Sequence, residues 1–283
     1  MKKRFPSNII QSILLLVIGL ACTAPLFVFE KELILQFSKE TYTTLFFSIF
    51  GVITFLVSML INSRNGFSLS FNAHLIVNRS LSVIVLTIIS YQIVIAPVIN
   101  YLSIHFSTNQ STFISHDFIY YAGAILIGPI VEELIFRGAI LNGMLDNYKN
   151  NRKALVLSAL IFCLVHVKIL QVIPAFFWGI VFGYFFYQTK SILLCIALHI
   201  IVNASGIAST IMYKKNQTAT LANAYGEHSW AVYLISISVF ILCLFYLLGK
   251  QQGLQKYMQL YYKPQQAMAQ SKPMSLPVPN CNF

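Results

Sequence analysis

Apolar residues gather in eight long runs, at about 9–29, 41–62, 81–104, 118–145, 154–170, 172–188, 191–212 and 230–248, with short polar stretches between them. A helix needs roughly 20 apolar residues to cross a hydrocarbon core about 30 Å thick. The pattern predicts an all-α polytopic membrane bundle of about eight transmembrane helices. Pro97, inside the third run, is tolerated in a membrane helix as a kink. The fifth and sixth runs are parted by little more than Lys168 and Gln171, so they form a tight helical hairpin. Gly179 and Gly183 in the sixth give the small-xxx-small spacing of a helix packing face.

Composition agrees with a lipid environment. Hydrophobic residues make up 57 % of the chain and charged residues 10 %, with a mean hydropathy of +0.73. So few charges cannot clothe a 32.0 kDa soluble globule, whereas lipid-facing helices need none. The net charge of +11 calls for no nucleic acid, since lysines and arginines in cytoplasmic loops give the same excess. Lys2, Lys3 and Arg4, the loop with Arg64 and Arg79, the loop with Lys149, Arg152 and Lys153, Lys190, and the tail lysines Lys250, Lys256, Lys263 and Lys272 mark one side as cytoplasmic. Loop 105–117 has no lysine or arginine and reads as external, and only Lys214 and Lys215 oppose the scheme. Both termini are then expected in the cytoplasm, with a bacterial plasma membrane favoured. Residues 249–283 form a basic, Pro/Gln/Ser-rich, largely disordered tail.

Three charges interrupt the fourth run, in the stretch from Ile127 to Gly138. A charge at the centre of a membrane helix costs about 2.5–3.5 kcal/mol on insertion scales, so each needs a partner or a task. Glu133 and Arg137 are four residues apart and can pair along the helix. Glu132 points about 100° away from Glu133 and needs a partner from another helix. Polar candidates in the later spans are His166, one turn after Phe162, and His199, which shares a face with Asn203. Counted at about 1.5 Å per residue from the cytoplasmic end, Glu132, His166, His199 and Asn203 lie roughly 20, 18, 14 and 20 Å deep. Four polar groups are thus expected near one level.

These residues resemble a known family. Glu132-Glu133-x-x-x-Arg137, Phe162-x-x-x-His166 and His199-x-x-x-Asn203, on successive helices, are similar to the three motifs of the CAAX-protease and bacteriocin-processing (CPBP, or Abi) family of intramembrane endopeptidases. The likeness covers about 118–212. It implies peptide-bond hydrolysis in the membrane, with water activated by Glu132 and His166, an oxyanion site at His199 and Asn203, and Glu133, Arg137 and Phe162 in support. A carboxylate in apolar surroundings can serve as such a base near neutral pH. The substrate would be a membrane-associated peptide or protein, a prenylated tail or a leader peptide among the choices, and the remaining partners are membrane lipids. No metal is required on this reading. Glu132, His166 and His199 are also a conceivable zinc set, but they lack the i, i+4 histidine pair that usually anchors zinc on one helix. The chain divides into residues 1–117 with about three spans, a catalytic core at 118–212 with about four, a last loop and helix at 213–248, and the tail.

The same residues bear on other readings. No His-Glu-x-x-His is present, and neither Asp117 nor Asp146 lies within a span, which removes the zinc site-2 and paired-aspartate types. Ser205-Gly206 is a faint rhomboid-like nucleophile with no base on its face. A bacteriocin self-immunity or binding protein of the same fold, and a secondary transporter using Glu132, Arg137 and the histidines, are the alternatives outside proteolysis. Four of the five cysteines lie in apolar runs and read as small core residues; Cys281 is followed by two residues where a prenylation box has three. The first run reads as a retained anchor.

Overall fold

The computed structural model describes residues 4–63, 79–105, 118–166, 169–215 and 226–246. The tail at 249–283, the Arg64 loop, the loop at 106–117 that the sequence reads as external, and Lys168 lie outside the described residues. The described chain is a helical bundle. In order come α1 (Ile9–Thr23), α2 (Pro25–Val28), α3 (Glu30–Gln36), α4 (Lys39–Asn62) and α5 (Arg79–His105). A continuous rod follows, made of α6 (Phe118–Ala122), a π-helical segment (Gly123–Ile127), α7 (Gly128–Glu133), a second π segment (Leu134–Leu141) and α8 (Asn142–Asn147). Helices α9 (Asn151–Leu164), α10 (Ile169–Thr189), α11 (Ile192–Lys215) and α12 (229–246) complete it.

Each of the eight apolar runs carries helix, and among the described residues five segments are long and apolar enough to cross a membrane: Ile9–Val28, Thr41–Asn62, Leu170–Thr189, Ile192–Ser209 and Gly226–Tyr246. The fifth run departs most from expectation. Its helix stops at Leu164, giving α9 a length of about 21 Å, and His166 falls in the turn beyond it. The stretch between the first two runs holds a short helix, α3, with Glu30 and Glu32 in its first turn, where carboxylates favour the helix dipole.

The packing is that of a protein whose solvent is lipid. On α1 the buried positions are Ser12, Leu15, Gly19 and Thr23, while Ile10, Ile13, Leu14 and Val17 are exposed. On α4 the buried stripe is Gly51, Thr54, Ser58 and Asn62, with Val52, Leu56 and Leu60 outward. Small and hydroxyl side chains face inward because lipid gives no reason to hide large apolar ones, and close backbone approach supplies the attraction. At Gly51 an added Cβ would stand 1.9 Å from Val131 Cγ1, on the turn that carries Glu132. Gly51→Ala is therefore expected to lower stability by about 1–3 kcal/mol through overpacking. The thermal midpoint in detergent is the measurement, and an unchanged midpoint would contradict it.

One end of the bundle is pinned by the N-terminal segment. Arg4 pairs with Asp146 at 3.1 Å, the Phe5 N–H donates to Asn62 Oδ1 at 2.8 Å, and Pro6 lies against Gly143, where a Cβ would meet its carbonyl. The start of α1, the end of α4 and the end of the charged rod therefore lie on the same side.

Candidate active site

The charged cluster is built on α7 and the second π segment and closed by α9, α10 and α11. Arg137 Nη1 donates to Glu133 Oε1 at 2.8 Å, with the two side chains 1 % and 0 % exposed. The i, i+4 pairing expected from the sequence is present. Its surroundings explain how a guanidinium survives there. Arg137 Nη2 donates to the Gly179 carbonyl at 3.2 Å, and the guanidinium carbon sits 4.7 Å from the centroid of the Phe162 ring and 5.5 Å from that of Phe182. Gly179 is the point of contact between α10 and α9, since a Cβ there would stand 3.1 Å from Ala159 Cβ and 3.2 Å from Phe162.

Glu133 has a second partner that local spacing does not announce. His199 Nδ1 lies 2.8 Å from the same Oε1 atom; a carboxylate only accepts, so Nδ1 carries the hydrogen and donates it. The other ring nitrogen, Nε2, lies 3.8 Å from Glu132 Oε2. One imidazole thus stands between two consecutive glutamates. Glu132 is 34 % exposed, yet its Oε2 is buried and accepts no hydrogen bond from the described residues. Glu132 has a cross-helix neighbour in His199, one of the candidates that the sequence offered.

His166 is held in the turn after α9. Its Nδ1 donates to the Phe162 carbonyl at 2.9 Å, so Nε2 keeps a lone pair. Phe162 is the common wall of the site: its ring centroid is 5.0 Å from that of His166, 6.0 Å from that of His199 and 4.9 Å from that of Phe136.

Asn203 lies one turn beyond His199 on α11 and donates from Nδ2 to the Ala124 carbonyl at 2.9 Å. The first π segment explains why that carbonyl is available. The Gly128 N–H bonds the Gly123 carbonyl, and the next rung would come from residue 129, which is proline and has no N–H. Nearby, Gln92 of α5 donates to Ser205 Oγ at 3.0 Å, and Ser205 donates to the Val202 carbonyl at 2.8 Å. The Ser205 proton therefore goes to a carbonyl and not to a base, which removes the basis of the nucleophile reading. Gln92 was not singled out in the sequence; a lone amide in an apolar run was the available signal.

Among the described residues no three His, Cys, Asp or Glu side chains are grouped to hold a metal ion. His199 Nδ1 and His166 Nδ1 are engaged by Glu133 and the Phe162 carbonyl, so any further bond from either ring is made through Nε2.

Residues 114–205 match the family described as type II CAAX prenyl endopeptidase Rce1-like. That match spans about a third of the chain, contains Glu132, Glu133, Arg137, Phe162, His166, His199 and Asn203, and agrees with the family its motifs resemble. Comparison with curated proteins and with solved structures gave no match.

Proposed function

We propose that the protein is an intramembrane endopeptidase that hydrolyses a peptide bond near the end of a membrane-associated substrate, a prenylated CAAX tail being the first class to test. The observation that carries the reading is the buried Glu132 Oε2, which accepts nothing from the described protein and lies 3.8 Å from His199. An acceptor of that kind suits a water that becomes the nucleophile.

In this mechanism Glu132, with the free Nε2 of His166 beside the same wall, takes a proton from water as the oxygen attacks the scissile carbonyl carbon. The carbonyl oxygen becomes an oxyanion and accepts hydrogen bonds from His199 Nε2 and from the second Nδ2 hydrogen of Asn203. Glu132, now protonated, passes its proton to the leaving amine as the C–N bond breaks, which restores the carboxylate. His199 can donate from Nε2 only as the imidazolium, because Nδ1 already carries the hydrogen given to Glu133. With that charge the cluster sums to zero, two carboxylates against one guanidinium and one imidazolium. Neutrality is what a low-dielectric setting demands of buried charges.

The test is incubation of purified, reconstituted protein with a farnesylated CAAX peptide and with an unprenylated leader peptide, followed by mass spectrometry. Cleavage of the first identifies the substrate class, cleavage of the second alone reassigns it, and no cleavage of either overturns the protease reading. Turnover is expected to survive exhaustive dialysis against a strong chelator. Activity that is lost on dialysis and returns with stoichiometric zinc would turn His166 and His199 into ligands.

A further inference from the structure

We infer that Pro129 is a positioning residue for Asn203: by withholding a backbone N–H it frees the Ala124 carbonyl, which then fixes the amide that faces the reacting carbonyl. The inference rests on the oxyanion role proposed above for Asn203, although its structural half can be tested alone.

A π segment bonds each N–H to the carbonyl five residues back, and the Gly128 N–H to Gly123 carbonyl bond is such a rung. The following rung would run from residue 129 to Ala124. Proline cannot donate it. An unbonded carbonyl in the membrane interior is costly, so the Ala124 oxygen needs a donor from outside its own helix. Asn203 Nδ2 supplies it at 2.9 Å.

The bond has a directional consequence. A helix carbonyl is held by the backbone, and a carboxamide is planar, so anchoring one N–H of Asn203 sets where the second N–H points. That remaining hydrogen is the one available to an oxyanion. Glu132 stands on the same rod, eight residues after Ala124, and the turn between them is tight: a Cβ at Gly128 would lie 3.1 Å from the Gly123 carbonyl and 3.8 Å from Glu132 Oε1. The base and the anchor of the oxyanion donor are thereby carried by one rigid element, so their spacing does not depend on how α11 alone is seated. Pro129 also starts α7, a position proline favours for local reasons. The experiment has to separate that role from the anchoring one.

Three variants in the full-length protein do so: Pro129→Ala, Asn203→Ala and the double variant. Asn203→Ala removes the donor from Ala124 and is expected to lower the thermal midpoint, whereas adding Pro129→Ala returns a backbone N–H beside the carbonyl and is expected to restore most of that loss. A double variant no more stable than Asn203→Ala would overturn the anchoring. Activity is read on the farnesylated CAAX peptide. Loss of an oxyanion donor lowers turnover about 10²–10³-fold, so Asn203→Ala should fall in that range. Pro129→Ala should lose about tenfold or more in kcat with KM nearly unchanged, since the donor is still present but released. The double variant should be no slower than Asn203→Ala. Wild-type turnover in Pro129→Ala, or losses that multiply in the double variant, would overturn the proposal. Pro129→Ser and Pro129→Gly also restore the N–H; failure of all three to fold would show that the proline serves the fold and not Asn203. Full turnover in Asn203→Ala would remove the oxyanion role proposed above while the stability cycle still decided the anchoring.

Discussion

Glu132→Gln is expected to abolish hydrolysis and leave the protein folded. Its Oε2 accepts no hydrogen bond from the described chain, and its nearest charged partner, His199 Nε2, is 3.8 Å away, beyond hydrogen-bond distance. The amide has the same shape and is already one-third exposed in the native side chain, so the substitution should leave the packing as it is. What disappears is the group that takes the proton. A positioned general base contributes about 10²–10⁴-fold, and here the same carboxylate also returns the proton to the amine, so loss at or beyond the upper end is expected. The measurement is the initial rate beside the thermal midpoint and membrane accumulation of the same preparation. A variant that kept a tenth of the rate, or one that failed to fold, would move the catalytic role away from Glu132.

How much of this was legible in the sequence depends on the range of each contact. The Glu133–Arg137 pair follows from helical spacing alone and is found at 2.8 Å, even though the helix there is π and not α. The helical runs were legible for the same reason, since lipid as solvent imposes a length and a composition on each segment. Level along each helix was countable, because rise per residue is nearly constant. Rotation about each axis was not, and rotation decides which side chain meets which. His199 was a candidate with Asn203 as its companion on one face, but it turns to Glu133, a contact across 66 residues that no local period encodes. Asn203 turns to Ala124 because a proline and a change of helical register free that carbonyl, and π segments have no simple sequence signature. His166 was read as helical because it lies in the fifth apolar run, yet α9 ends at Leu164 and His166 is joined to Phe162 by a carbonyl bond in the turn.

Glu133→Gln is expected to cost both stability and activity, in contrast to its neighbour. Glu133 Oε1 accepts from Arg137 Nη1 and His199 Nδ1 at 2.8 Å each, at a site with no exposure. Gln keeps an oxygen there but loses the charge that offsets the guanidinium. Removing one partner of a buried ion pair costs about 3–5 kcal/mol. Arg137 would retain the Gly179 carbonyl and the rings of Phe162 and Phe182, and cation–π contacts of that kind contribute about 2 kcal/mol when desolvated, too little to compensate. Against a total of about 5–15 kcal/mol for a folded protein the difference should appear as a lower thermal midpoint and poor accumulation in the membrane. Adding Arg137→Met separates the two losses. It removes the stranded cation and should restore part of the stability, while activity stays low because the carboxylate that holds His199 Nδ1 is still missing. If Glu133→Gln were as stable and as active as wild type while Glu132→Gln failed to fold, the roles of the two glutamates would be exchanged.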